Sequence, residues 1–139
     1  MKTMLLTAVG VMLIISACKK DEDVSACAQL EGTWTCTSWM EDDEQFLGDS
    51  VFILSSVIEF KEYIDSVAQG DLEWNLAYTI GGPETIIGFY SLNDNCDEVT
   101  ITPKSGAPTI YQFTISGEEL TLETNTNNVD VRMSYSRQR

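Results

Sequence analysis

Residues 71–80 carry Leu72, Trp74, Leu76, Tyr78 and Ile80 at alternate positions, with Asp71, Glu73, Asn75 and Thr79 between them. Such a period of two belongs to a β-strand, whose successive side chains leave the backbone on opposite faces. A helix with this sequence would scatter the same apolar residues around its circumference. The segment must therefore lie with one face on a core and the other in water. Near the C-terminus the pattern recurs in Val129, Val131, Met133 and Tyr135, and shorter pieces add Val99 with Ile101 and Leu120 with Leu122. Beyond Cys18 no stretch sustains an apolar repeat of period 3.6, so the chain is expected to be mostly β.

Eight strands are predicted: Leu30–Met40, Ser55–Tyr63, Asp71–Ile80, Thr85–Leu92, Glu98–Thr102, Thr109–Ser116, Glu119–Thr124 and Val129–Ser136. Most connections between them are short and hold Gly, Asn, Asp, Ser or Pro, which tolerate turn geometry. Short sequential turns give a meander, and a meander of eight strands exposes two edges unless its first and last strands pair. The fold class expected is therefore all-β, an eight-stranded antiparallel up-and-down barrel. Two places resist simple assignment. Ile86–Tyr90 alternates poorly, which suggests a bulge at Gly88. The long connection 41–54 departs from hairpin size, and its Asp43–Leu47 stretch is expected to form one helical turn or a lid.

The N-terminus carries different information. Met4–Ala17 is apolar but shorter than the roughly 20 residues a membrane-spanning helix needs, as expected of a signal peptide. Ile15-Ser16-Ala17-Cys18 resembles the lipobox of bacterial lipoproteins, in which the cysteine is lipidated and becomes the first residue of the mature chain. The following Lys19-Lys20-Asp21-Glu22-Asp23 is similar to the export signal of Bacteroidetes-type surface lipoproteins. The expected organisation is a signal peptide over 1–17, a lipidated tether over 18–28 and one barrel domain over 29–139. The resemblance implies an outer-membrane protein held by lipid, palmitate among it, on Cys18 and exposed at the cell surface.

Charge and composition narrow the function classes. The chain has 22 acidic and 8 basic residues, a formal net charge of −14. Such a surface repels phosphate, and no Lys/Arg cluster interrupts the acidic field, so nucleic acid is excluded as a partner. With 0 histidines, the chain lacks the usual base for Ser or Cys nucleophiles and the commonest zinc ligand. Neither an enzyme nor a metal or other cofactor is expected. Asp94, Asp97 and Glu98 lack EF-hand spacing and read as a polar turn.

Leu30-Glu31-Gly32-Thr33-Trp34 resembles the Gly-x-Trp signature that opens the first strand of lipocalins. The long first loop, the hairpins after it and the ending from Tyr111-Gln112-Phe113 to Tyr135-Ser136-Arg137 are similar to lipocalin-like domains of Bacteroidetes surface lipoproteins. In lipocalins an Arg stacks over that Trp. Here Arg137 continues the inward parity of Tyr135, so the resemblance implies a structural trio of Gly32, Trp34 and Arg137 at the closed end. A surface ion pair is the alternative for Arg137. Up-and-down topology brings Cys96 to the same end as Cys27, predicting a Cys27–Cys96 disulfide, with Cys36–Cys96 as the other pairing. At the opposite, open end, Trp39, Ile58, Trp74, Tyr78, Ile80, Tyr111 and Val131 are the candidate binding residues for a small hydrophobic or amphipathic ligand, with Glu41–Glu44 at the rim. The alternative is a filled barrel that meets a protein or glycan through its loops.

Overall fold

The computed structural model describes residues 26–48 and 52–139. The signal peptide, Cys18 and the tether up to residue 25 lie outside the described residues. A short helix, α1 (Ala26–Leu30), precedes nine strands: β1 (Gly32–Glu41), β2 (Glu44–Gln45), β3 (Ile53–Ile64), β4 (Gln69–Tyr78), β5 (Pro83–Leu92), β6 (Glu98–Pro103), β7 (Thr109–Ser116), β8 (Glu119–Thr126) and β9 (Val129–Arg137). From β3 to β9 each strand pairs with its sequence neighbour. Pairing of β1 with β3 on one side and β9 on the other then closes the sheet. All these ladders are antiparallel, so eight strands form the expected closed barrel and no long edge is left for another chain to extend.

The ninth strand corrects the reading of the long loop. Asp43–Leu47 does not form a helical turn; Asp42 and Asp43 take left-handed φ values of 47° and 67°, turning β1 back into β2. Asp tolerates this region because its short polar side chain can bond locally. Here the Asp42 carboxylate reaches across to β9 instead, accepting the Asp130 N–H at 2.9 Å while its own N–H reaches the Asp130 carbonyl at 2.9 Å. Asn127 and Asn128 turn β8 into β9 in the same left-handed way. Gly88 also differs from expectation. The β4–β5 register runs through it without a shift, whereas irregularities fall at Cys36/Ser38, Ile53/Ser55 and Phe60/Tyr63. A glycine stands there because β6 comes so close: a Cβ at position 88 would sit 2.2 Å from the Thr102 carbonyl oxygen.

Inward faces follow the alternation. Leu72, Trp74 and Leu76 are buried on β4, Val99 and Ile101 on β6, Leu120 and Leu122 on β8, Met133 and Tyr135 on β9. Each large apolar side chain taken fully from water contributes about 1.5–3 kcal/mol, which makes this interior the main stabilising element. Ile80 is a correction: β4 ends at Tyr78, and Ile80 stands 84% exposed in the following turn.

The closed end is sealed by the chain's own start. Leu30 at the end of α1 is completely buried, and its carbonyl accepts a hydrogen bond from the Trp34 indole N–H at 2.9 Å. Over that indole lies the Arg137 guanidinium, 4.2 Å from the ring centroid. It donates to the carbonyls of Glu31, at 2.8 Å, and Gln29. Gly32 has φ 128°, and a Cβ on it would meet Arg137 Nη1 at 2.8 Å, so this position needs glycine on both counts. Arg137 also approaches Glu118 at 3.9 Å; the stacked and the ion-paired arrangements coexist. The Cys27–Cys96 disulfide, with Cα atoms 5.0 Å apart, fastens α1 to the β5–β6 turn as expected.

Candidate functional site

At the open end the barrel keeps partly uncovered aromatics. Trp39, on β1 three residues after Cys36, stacks on Trp74 with centroids 6.0 Å apart and planes at 28°. Tyr111 of β7 meets Trp74 edge-on at 6.5 Å. Trp74 and Tyr111 are buried whereas Trp39, Tyr78 and Val131 are half-buried, so three of these seven candidates form a continuous aromatic floor and wall. Tyr78 sits apart from that stack, with its ring 5.3 Å from the exposed Phe52. Ile58 pairs with both Trp34 and Trp74 and is fully buried, so it is core wall and not a contact surface. Ile80, exposed in its turn, is no part of the buried interior.

Two carboxylates hold the polar tips of the mouth aromatics. Glu41 shares the inward parity of Trp39 and accepts its indole N–H at 3.0 Å. Glu84, paired with Leu76 and thus on the inward side of β5, accepts the Tyr78 hydroxyl at 2.9 Å. The sequence reading placed Glu41 at the rim but missed Glu84, which falls one residue before the predicted strand and looks like a turn residue. Beside it, Glu84, Ile86, Pro103 and Lys104 line a 350 Å³ notch where β5 outruns β6.

Beneath the stack lies a buried polar chain. Trp74 donates its indole N–H to Ser56 Oγ at 2.8 Å, Ser56 and the Tyr135 hydroxyl lie 3.2 Å apart, and Tyr135 donates to Met133 Sδ at 3.5 Å. Since the tyrosine has one proton, Ser56 donates to it, and every member is satisfied. Ser56 was also missed, although its signal existed: it precedes Ile58 and Phe60 by even steps, so it must point inward with them. Removing its hydroxyl in Ser56→Ala leaves the Trp74 N–H without an acceptor inside the barrel. An expected loss of about 1–3 kcal/mol follows, to be read from the denaturant midpoint.

Five acids of the barrel, Cys36, Tyr78, Tyr90, Tyr111 and Tyr135, keep their protons unusually long. Burial pushes the Cys36 thiol up to about 11 from its ordinary 9.0, against the Ser38 backbone and the Tyr135 hydroxyl, which pull it back. Burial lifts Tyr111 from 10.0 to about 12. Tyr78 rises to about 12 through burial first and then the hydrogen bond and charge of Glu84. An acid whose pKa is higher folded than unfolded contributes stability that is complete below the unfolded value and lost as pH climbs through the folded one. Stability should therefore decline from about pH 9 upward to about pH 12, first through Cys36 and then the tyrosines. Denaturant midpoints across that range check the slope. Alkylation of Cys36 in the folded protein should be slow at neutral pH, because the thiolate is the reactive form.

A separate cleft of 570 Å³ opens on the outside of the barrel, where β1, β7, β8 and β9 approach the mouth. Met40, Arg132, Glu123 and Gln112 are consecutive partners across those strands and share the outward parity. Arg132 donates to Glu123 at 2.5 Å, and Asp42, Asp43 and Asp130 close the upper edge. Val131 is the sole predicted binding residue in its lining. Among the described residues no group of three His, Cys, Asp or Glu side chains could hold a metal ion.

The architecture has counterparts. A de novo designed fluorescence-activating β-barrel superposes with a TM-score of 0.58 at 13% identity, covering 83% of this chain and 99% of that one. A redesigned β-barrel, mFAP1, bound to DFHBI, gives 0.52 at 20% identity, covering 81% and 100%. No curated protein matches the sequence. These likenesses establish the barrel geometry, while sequence supplies kinship: residues 30–122, from the end of α1 into β8, match the family described as a lipocalin-like domain. With its Gly32-x-Trp34 opening, Arg137 seal and closed eight-stranded meander, the chain belongs to the lipocalin-like domain family.

Proposed function

We propose that this protein is a lipoprotein of the outer membrane, anchored by lipid on Cys18 and exposed at the cell surface. Its barrel binds a small hydrophobic or amphipathic ligand at the open end and has no enzymatic role. The supporting observation is the difference between the two ends. One is sealed by α1, the Cys27–Cys96 disulfide and Arg137. The other presents Trp39, Tyr78 and Val131 half-buried above the Trp74–Tyr111 floor. Small-molecule sites are mostly apolar with a few placed polar groups, and barrel mouths are among their usual positions. One of the similar barrels, mFAP1, is bound to DFHBI, which is in keeping with a ligand-binding reading of this barrel.

Replacing Trp39 by Ala should weaken binding of such ligands at least about tenfold, since an aromatic contact is lost together with its buried area. Tryptophan-fluorescence titration of wild type and variant measures it, and equal affinities would remove the mouth as the site. Anchoring has its own test: Cys18→Ser should abolish incorporation of labelled palmitate and release the protein from membranes.

The 570 Å³ outer cleft favours a second reading, contact with a protein or glycan through the barrel's outside and loops. Under that reading, Arg132→Ala would abolish partner binding while leaving ligand titrations at Trp39 unchanged.

A further inference from the structure

We propose that the ligand of the open end, given the binding function proposed above, is a flat aromatic cation and not an anionic amphiphile. The donors that would receive an anionic head are already occupied. The Trp39 indole N–H is bonded to Glu41 Oε1 at 3.0 Å and the Tyr78 hydroxyl to Glu84 Oε2 at 2.9 Å. What the mouth offers an incoming molecule is thus two carboxylates and the aromatic faces they steady.

A flat cation suits both. The half-buried Trp39 ring, steadied by its stack on Trp74, supplies π-surface, and cations are drawn to such faces, indole most of all. Glu41 is followed directly by Asp42, Asp43 and Glu44 in the β1–β2 turn, so the field at the rim is strongly negative. The cations nearby do not reverse it. Arg132 points outward and is bonded to Glu123, and Lys104 stands at the notch beside Glu84. A carboxylate or phosphate head would face this rim with no free donor from Trp39 or Tyr78. Because Trp74 and Tyr111 are already covered, the ligand lies shallowly, against Trp39.

Calorimetric titration of the full chain in non-ionic detergent, against a detergent blank, with N-methylquinolinium, quinoline-2-carboxylate and naphthalene tests this. The cation should bind about tenfold more tightly than the anion. That ratio should shrink towards one in the Glu41→Gln/Glu84→Gln variant, and in wild type as salt rises from ~20 mM to ~0.5 M, which screens exposed charge. Naphthalene should be unaffected by either change. The salt series uses the native chain, so the test does not depend on the variant folding. Equal or tighter binding of the carboxylate, or a preference untouched by salt and by the variant, would overturn the charge assignment and leave the ligand site standing. Failure of all three probes to bind would overturn the binding function itself.

Discussion

Replacing Cys27 and Cys96 together by Ser should lower the stability of the barrel by about 4 kcal/mol, because the cross-link closes a long loop and restrains the unfolded chain. The pair spans a sequence separation of 69. For a domain of this size that corresponds to a fall in Tm of about 15–20 °C. The consequence is also local. Without the cross-link, α1 relies more heavily on the burial of Leu30, the indole bond from Trp34 to its carbonyl and the Arg137 bonds to Gln29 and Glu31. Thermal melts of wild type with and without reductant check both points: reduced wild type should melt with the double variant. Coincident melts of oxidised wild type and variant would show that the disulfide does not restrain the unfolded chain as argued.

Trp34→Ala should cost about 3–5 kcal/mol, the range for truncating a fully buried aromatic. Trp34 is completely buried, donates to Leu30 and carries Arg137 on its face. Its loss opens a cavity under the seal and strips Arg137 of its platform. Trp34→Phe, which keeps a ring but loses the N–H, should cost less, about 1–3 kcal/mol, reflecting the Leu30 carbonyl left unpaired. A double-mutant cycle with Arg137→Ala should show coupling of about 0.5–2 kcal/mol between the two side chains. Additive losses would mean that the guanidinium is held by its carbonyl bonds alone. Either large substitution removes much of the 5–15 kcal/mol typical of a domain, so both are best read by denaturant titration at low temperature.

The barrel and its sealed end were legible because they rest on parity and chain direction. Alternation in 71–78 and 129–135 set the inward faces, and up-and-down topology carried Cys96 and Arg137 to the end where the chain enters. What parity could not see was where strands stop. Ile80 continues the arithmetic of Leu72, Trp74, Leu76 and Tyr78, yet β4 ends first and the next residues turn. Glu84 failed in the opposite sense: β5 begins earlier than its apolar residues suggest, and only the pairing with Leu76 turns that carboxylate inward. Asp43–Leu47 suggested a helical turn because the two acidic residues at 42 and 43 do not announce a hairpin, although left-handed φ values suit Asp. Gly88 looked like a bulge, since sequence cannot distinguish a glycine needed for its own backbone from one needed by the strand beside it. The outer cleft was invisible for a related reason: Met40, Gln112, Glu123 and Arg132 become neighbours only when four strands are in register.

Ligand binding at the open end is most directly tested by native mass spectrometry of the protein isolated from its native cells, compared with its denatured mass. The expected result is a reproducible small-molecule increment that disappears on denaturation and is absent from Trp39→Ala. Identical native and denatured masses, or an increment that survives loss of Trp39, would contradict a ligand site at the mouth and point to a filled barrel working through its outer face.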